Sequence, residues 1–84
     1  MIVEAYDKGM KYKVGMQTKL PKDSTNWYIV NITCDKSDKM TQVTLADTTL
    51  KEFCVIRSFG NLTLTGVYEP DILKLARKLA NKEK

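Results

Sequence analysis

Trp27-Tyr28-Ile29-Val30-Asn31-Ile32-Thr33-Cys34 is the stretch whose reading decides the fold. Its residues are mostly β-branched or aromatic, it holds no Pro or Gly, and its length suits a strand. Alternation puts Tyr28, Val30, Ile32 and Cys34 on one face. Trp27 and Ile29 begin the other face before Asn31 and Thr33 turn it polar. A strand apolar on one whole face and half of the second belongs in the middle of a sheet, where both sides can be covered. The next segment, Met40 to Ala46, alternates with Val43 and Leu45 inward and Gln42 and Thr44 outward. Asp35-Lys36-Ser37-Asp38-Lys39 between them has turn chemistry, so the two runs are expected to form a hairpin.

Upstream, Met1 to Tyr6 reads as an edge strand or strand start, closed by the turn Asp7-Lys8-Gly9. Met10, Tyr12 and Val14 then share one face, with Lys11 and Lys13 opposite. The same register continues across Gly15 through Met16, Thr18 and Leu20, with Gln17 and Lys19 opposite. A glycine inside such a run predicts a bend or bulge. Pro21 ends the run, and residues 22–26 form a polar loop.

Downstream, Leu50 to Phe59 carries two signals. Thr49 followed by Glu52 is a capping-box pattern, whereas Cys54-Val55-Ile56 favours a strand. The reading adopted is a strand from about Phe53 to Phe59, with room for one helical turn before it. Gly60-Asn61 predicts a type II′ hairpin into the strand Leu62 to Tyr68, with a bend at Gly66. Glu69-Pro70-Asp71 opens a helix over 71–82. Ile72, Leu75, Ala76 and Leu79 form its apolar stripe, Leu73 and Ala80 lie at the margin, and Lys74, Arg77, Lys78 and Lys82 lie outside it.

The expected fold is therefore mainly β with a C-terminal α-helix. It is a small curled antiparallel sheet, or a barrel of five to six strands, capped by one amphipathic helix. Val14-Gly15 before a long loop, Trp27-Tyr28 opening the next strand, and Val43-Thr44-Leu45 pairing with it are loosely similar to Src-homology-3-like or Tudor-like small barrels. That likeness covers roughly residues 10–68 and is a pattern of strands and turns, not a diagnostic motif. The helix departs from the barest version of that fold, and an oligonucleotide-binding-type barrel or an open α+β sheet are alternatives.

Eighty-four residues, 43% hydrophobic and 29% charged, make one domain (1–68 sheet or barrel, 71–82 helix) of the soluble globular type. A domain of this size hides only about 60–65% of its unfolded surface, so modest stability is expected. No apolar run approaches the ~18 residues of a membrane span. The acidic opening lacks the basic head of a signal peptide, which gives a cytoplasmic expectation. Cys34 and Cys54 are then two reduced, buried thiols, with a disulfide between neighbouring strands as the alternative for a secreted chain. The sequons Asn31-Ile32-Thr33 and Asn61-Leu62-Thr63 fall in or beside strands and are read as accidental.

With no histidine, neither a Ser–His nor a Cys–His dyad can form, and Ser24, Ser37 and Ser58 sit in no elbow motif. Two cysteines without histidine do not complete a structural zinc site. Asp35 and Asp38 fall short of a calcium loop, and the four glycines are isolated rather than gathered into a phosphate loop. No enzyme, cofactor or metal is expected.

The net charge of +4 is uneven: residues 1–22 and 71–84 carry +3 each, and 23–70 carry −2. Lys11, Lys13 and Lys19 on one strand face, with Lys74, Arg77 and Lys78 on the helix, could contact phosphates. Trp27 and Tyr28 point to opposite faces, so one is core and the other is a candidate stacking platform. The bland counterpart is that these cations form a solvated face and that Trp27 lies buried under the rim. The expected function is a non-enzymatic binding module for nucleic acid. The alternative is a protein-interaction module or an inhibitor that occludes a larger partner, as viral and mobile-element products often do. An edge strand would also allow a homodimer.

Overall fold

Among the described residues of the computed structural model there are seven strands: β1 (Glu4–Asp7), β2 (Met10–Lys13), β3 (Met16–Lys19), β4 (Trp27–Cys34), β5 (Met40–Ala46), β6 (Phe53–Ile56) and β7 (Thr63–Tyr68). A 3-10 turn, Phe59–Asn61, separates β6 from β7, and the backbone is helical at 70–72 and 74. The structure describes residues 2–47, 51–72 and 74. The capping-box Thr49 and the helix positions Leu73, Leu75, Ala76, Arg77, Lys78, Leu79, Ala80 and Lys82 lie outside the described residues.

The mainly-β expectation holds. All pairings among the described residues are antiparallel, in a five-stranded sheet ordered β6-β5-β4-β3-β7 and a two-stranded sheet β1-β2. β4 is the middle strand of five, as its two apolar faces require. The hairpin partner is also the expected one: Ile29 lies opposite Leu45 and Ile32 opposite Val43, with Val43 and Leu45 wholly buried.

The faces of β4 differ from simple alternation. The register skips Val30, passing from Ile29↔Leu45 to Asn31↔Thr44. Cross-strand partners share a face, so this bulge sets Ile29 and Ile32 on the same side, with Leu45 and Val43. Trp27 joins that side through its partner, the buried Thr18, while Tyr28 goes to the other side with Gln17 and Ala46. Both faces are covered at this end of the strand, so Trp27, Tyr28, Ile29 and Val30 are all buried in succession.

Gly15 does more than bend a strand. At φ +101 it ends β2, and β3 begins in the other sheet, so the single run read over 10–20 becomes two strands. Seven strands result where five to six were expected. Its N–H donates to the Ile29 carbonyl at 2.8 Å, and its carbonyl accepts from Glu69 N–H at 2.8 Å. The β1–β2 turn has positive φ at both Lys8 (50°) and Gly9 (81°), as in a type I′ hairpin. A Val14 N–H bond to the Val3 carbonyl extends this hairpin by one pair, and a bridge between Ile2 and Ile32 ties it to β4.

The hairpin expected at Gly60-Asn61 does not form. β6 pairs with β5 and β7 pairs with β3, so these strands occupy opposite edges and the 3-10 turn crosses between them. Phe59 explains the preference. It is buried, with its ring 6.0 Å from Tyr12 at 46°, and full burial of such a side chain contributes about 1.5–3 kcal/mol. A tight turn at 60–61 would hold Phe59 on the shoulder of a hairpin instead. β6 accordingly stops at Ile56.

Ile72, the first position of the expected helix stripe, joins the core, while Asp71 and Lys74 are exposed. Cys34 and Cys54 are free and half-buried rather than buried. β5 lies between their strands, which keeps them from pairing across a ladder. The Thr18 hydroxyl is buried with no hydrogen-bond partner among the described residues, a local cost of about 1–3 kcal/mol.

Candidate nucleic-acid interface

Three turns meet at one end of the molecule. β5 leaves this end at Met40, β6 returns to it at Ile56, and the β1–β2 turn docks alongside. Between them opens a cleft of about 530 Å³. Met10, Tyr12, Met40, Phe59 and Leu62 supply its apolar lining, and Lys8, Lys39 and Arg57 supply three exposed cations. Among the described residues Asp7 is the one acid in the lining, and Ser58 adds a hydroxyl. Burial, and secondarily the Asp7 charge, pushes the Tyr12 phenol above its ordinary value, so it stays protonated and able to donate at neutral pH.

The sequence does not single out Lys8, Lys39 or Arg57 as site residues. One signal could have found two of them. In an antiparallel meander β5 departs from the end to which β6 returns, which puts Lys39 and Arg57 together. Lys8 arrives only through the docking of a separate hairpin, and strand parity does not fix that.

The residues singled out from sequence are placed differently. Lys11 and Lys13 are on β2 and Lys19 is on β3, in separate sheets, so they do not share one strand face. Lys11 pairs with Glu4 at 3.3 Å, Lys13 sits 4.8 Å from the centre of the Tyr68 ring, and Lys19 donates to the Ser24 carbonyl. Each is engaged in its own neighbourhood. Lys74 is exposed, and Arg77 and Lys78 lie outside the described residues.

Neither aromatic is a stacking platform. Trp27 is 7% exposed and Tyr28 9%, because the sheet is covered on both faces at this end of β4. The Tyr28 hydroxyl accepts from Gln17 Nε2 at 3.1 Å, and Gln17 Oε1 accepts from Thr65 Oγ1 at 2.7 Å. This chain of bonds spans β4, β3 and β7, so Tyr28 is structural.

Trp27 is held by the loop before it. Asp23 accepts from Thr25 N–H at 2.9 Å and from Trp27 Nε1 at 3.0 Å. The Thr25 backbone bond first, then the Trp27 and Thr25 side-chain bonds, hold the Asp23 carboxyl below its ordinary value. A depressed carboxyl adds stability that is fully present above the unfolded value of 3.8 and is lost as pH falls through the lower folded value. The difference in urea midpoint between the wild type and Asp23→Ala, read by Trp27 fluorescence, should therefore shrink over that acid range. A difference constant with pH would show that the charge is not what holds the loop.

Burial, then Asp38 and Asp35, raises the Cys34 thiol, which leaves it protonated and a poor nucleophile at neutral pH. No helix among the described residues is long and apolar enough to cross a membrane. No protein-family model, curated protein or solved structure matches this chain.

Proposed function

We propose that this chain is a small non-enzymatic binding module that contacts nucleic acid at the cleft between the β1–β2 turn, the β4–β5 hairpin and the end of β6. The observation that carries this reading is the convergence of Lys8, Lys39 and Arg57, drawn from three separate segments, on one concave surface. Exposed cations at that reach suit phosphate oxygens, and releasing condensed counterions supplies the affinity. The net charge of +4 adds long-range attraction.

The test is fluorescence polarisation with labelled DNA and RNA in rising salt. Three phosphate contacts predict a slope near −2 on single strands, about a 20-fold loss of affinity between about 50 and 200 mM salt. Absence of binding at the lower salt, or binding indifferent to salt, rules this reading out.

One observation favours a protein partner as a second reading. β6 is a sheet edge without Pro, a bulge or a charge inside it, and Phe53 and Val55 are each half-exposed there. Natural edges are usually protected by such devices. A groove of about 440 Å³ runs beside it, walled by Leu20, Pro21, Val55 and Ile56, and a partner strand or a second copy could pair there. Association of that kind would persist in about 0.5 M salt, where surface charge is screened, and Val55→Lys would abolish it.

A further inference from the structure

Building on the nucleic-acid reading, we infer that the cleft takes an unpaired nucleotide, with its base against the apolar lining and its phosphate on the cationic rim, so that the module prefers single strands to duplex. Cations that serve a duplex follow its regular line of phosphates, whereas Lys8, Lys39 and Arg57 surround a single hollow. Of the other N-terminal lysines, Lys11, Lys13 and Lys19 are engaged with Glu4, Tyr68 and Ser24, and Lys22 lies outside the cleft lining.

The hollow pairs its charged and polar rim with a comparable share of apolar surface, and a duplex has nothing to set against the apolar share. A duplex keeps its bases stacked and presents backbone and polar groove edges. An unpaired base brings an apolar face, and the cleft volume of about 530 Å³ is in the range that encloses small ligands, roughly 300–1,000 Å³. Tyr12 and Phe59 are 4% and 8% exposed, so they back the cleft without offering a stacking face, and half-exposed Met10 with partly buried Leu62 is the apolar surface that a base would meet. Asp7 repels phosphate from its own side of the cleft and can accept from a base amino group, which orients the nucleotide.

The experiment is polarisation with a labelled mixed-sequence strand of about 12 nucleotides, as DNA and as RNA, against the same sequence annealed to its complement. A base resting on Met10 and Leu62 gains less than one stacked on an exposed ring. The single strand should therefore bind about 5-fold more tightly than the duplex at equal salt. Met10→Ala should lower single-strand affinity several-fold without changing the salt slope or, being half-exposed, the thermal transition. Equal or tighter binding of duplex, with the salt slope intact, overturns this inference and leaves the nucleic-acid reading standing. Binding of neither form overturns both.

Discussion

Replacing Gly15 with alanine should destabilise the protein by about 2–4 kcal/mol, a large share of the ~5–15 kcal/mol that holds a domain together. Two separate effects add. A side chain at φ +101 is in a region that L-residues rarely occupy, which costs about 1–3 kcal/mol. A Cβ there would also meet the Glu69 carbonyl oxygen and Tyr68 Cε1, each at 2.9 Å. The carbonyl cannot withdraw easily, because the neighbouring Glu69 N–H is bonded to the Gly15 carbonyl. Relief would require separating the end of β7 from the junction of β2 and β3. Gly9→Ala is the control: its φ of +81 carries the backbone cost, but its Cβ would meet nothing within 4 Å. Urea unfolding followed by Trp27 fluorescence should place Gly9→Ala between the wild type and Gly15→Ala. If the two alanine variants lose the same stability, the close approach of Glu69 and Tyr68 is unimportant.

Reversing two cleft charges together, Lys39→Glu with Arg57→Glu, should weaken nucleic-acid binding on the order of 100-fold at low salt. Two phosphate partners are lost, and two like charges are placed where the phosphates would sit. The salt slope should fall by about the two contacts removed. Folding should survive, since both residues are exposed at strand ends and neither forms an ion pair among the described residues. Lys22→Glu with Lys74→Glu changes the net charge equally at two exposed positions outside the cleft lining. That control should lose only the long-range part, a few-fold. Equal losses in the two pairs would mean that binding follows net charge alone, and would remove the cleft from the proposal.

The strands themselves were legible because period-2 alternation is a local property. β4 reads as central from its own residues, and β5 reads as its partner from the turn between them. Gly15 and Gly66 both mark places where the chain takes positive φ. What alternation could not supply was parity. The bulge at Val30 is silent in a run of β-branched residues, yet it exchanges faces and puts Trp27 and Ile32 on the same side. The turn at 59–61 is a second case. Gly60-Asn61 has the local chemistry of a hairpin, and the burial of Phe59 against Tyr12 overrides it.

The candidate site was less legible than the fold. Lys11, Lys13 and Lys19 share a periodicity, and periodicity implies a common face only if the strand continues unbroken. Gly15 breaks it. Lys8, Lys39 and Arg57 share no pattern, being turn and strand-end residues separated by long stretches of chain, and the topology brings them together.

By itself, the sequence determined a small mainly-β domain with a central strand at 27–34, its hairpin with 40–46, a basic balance and an absence of histidine chemistry. These follow from side-chain type and local spacing, which act over a few residues. Only the tertiary structure decided that Trp27 and Tyr28 are both buried, that β6 and β7 form opposite edges, and that three distant cations surround one cleft. Those outcomes depend on which apolar surfaces cover one another. That is settled by the burial of the whole chain, and no window of local sequence contains it.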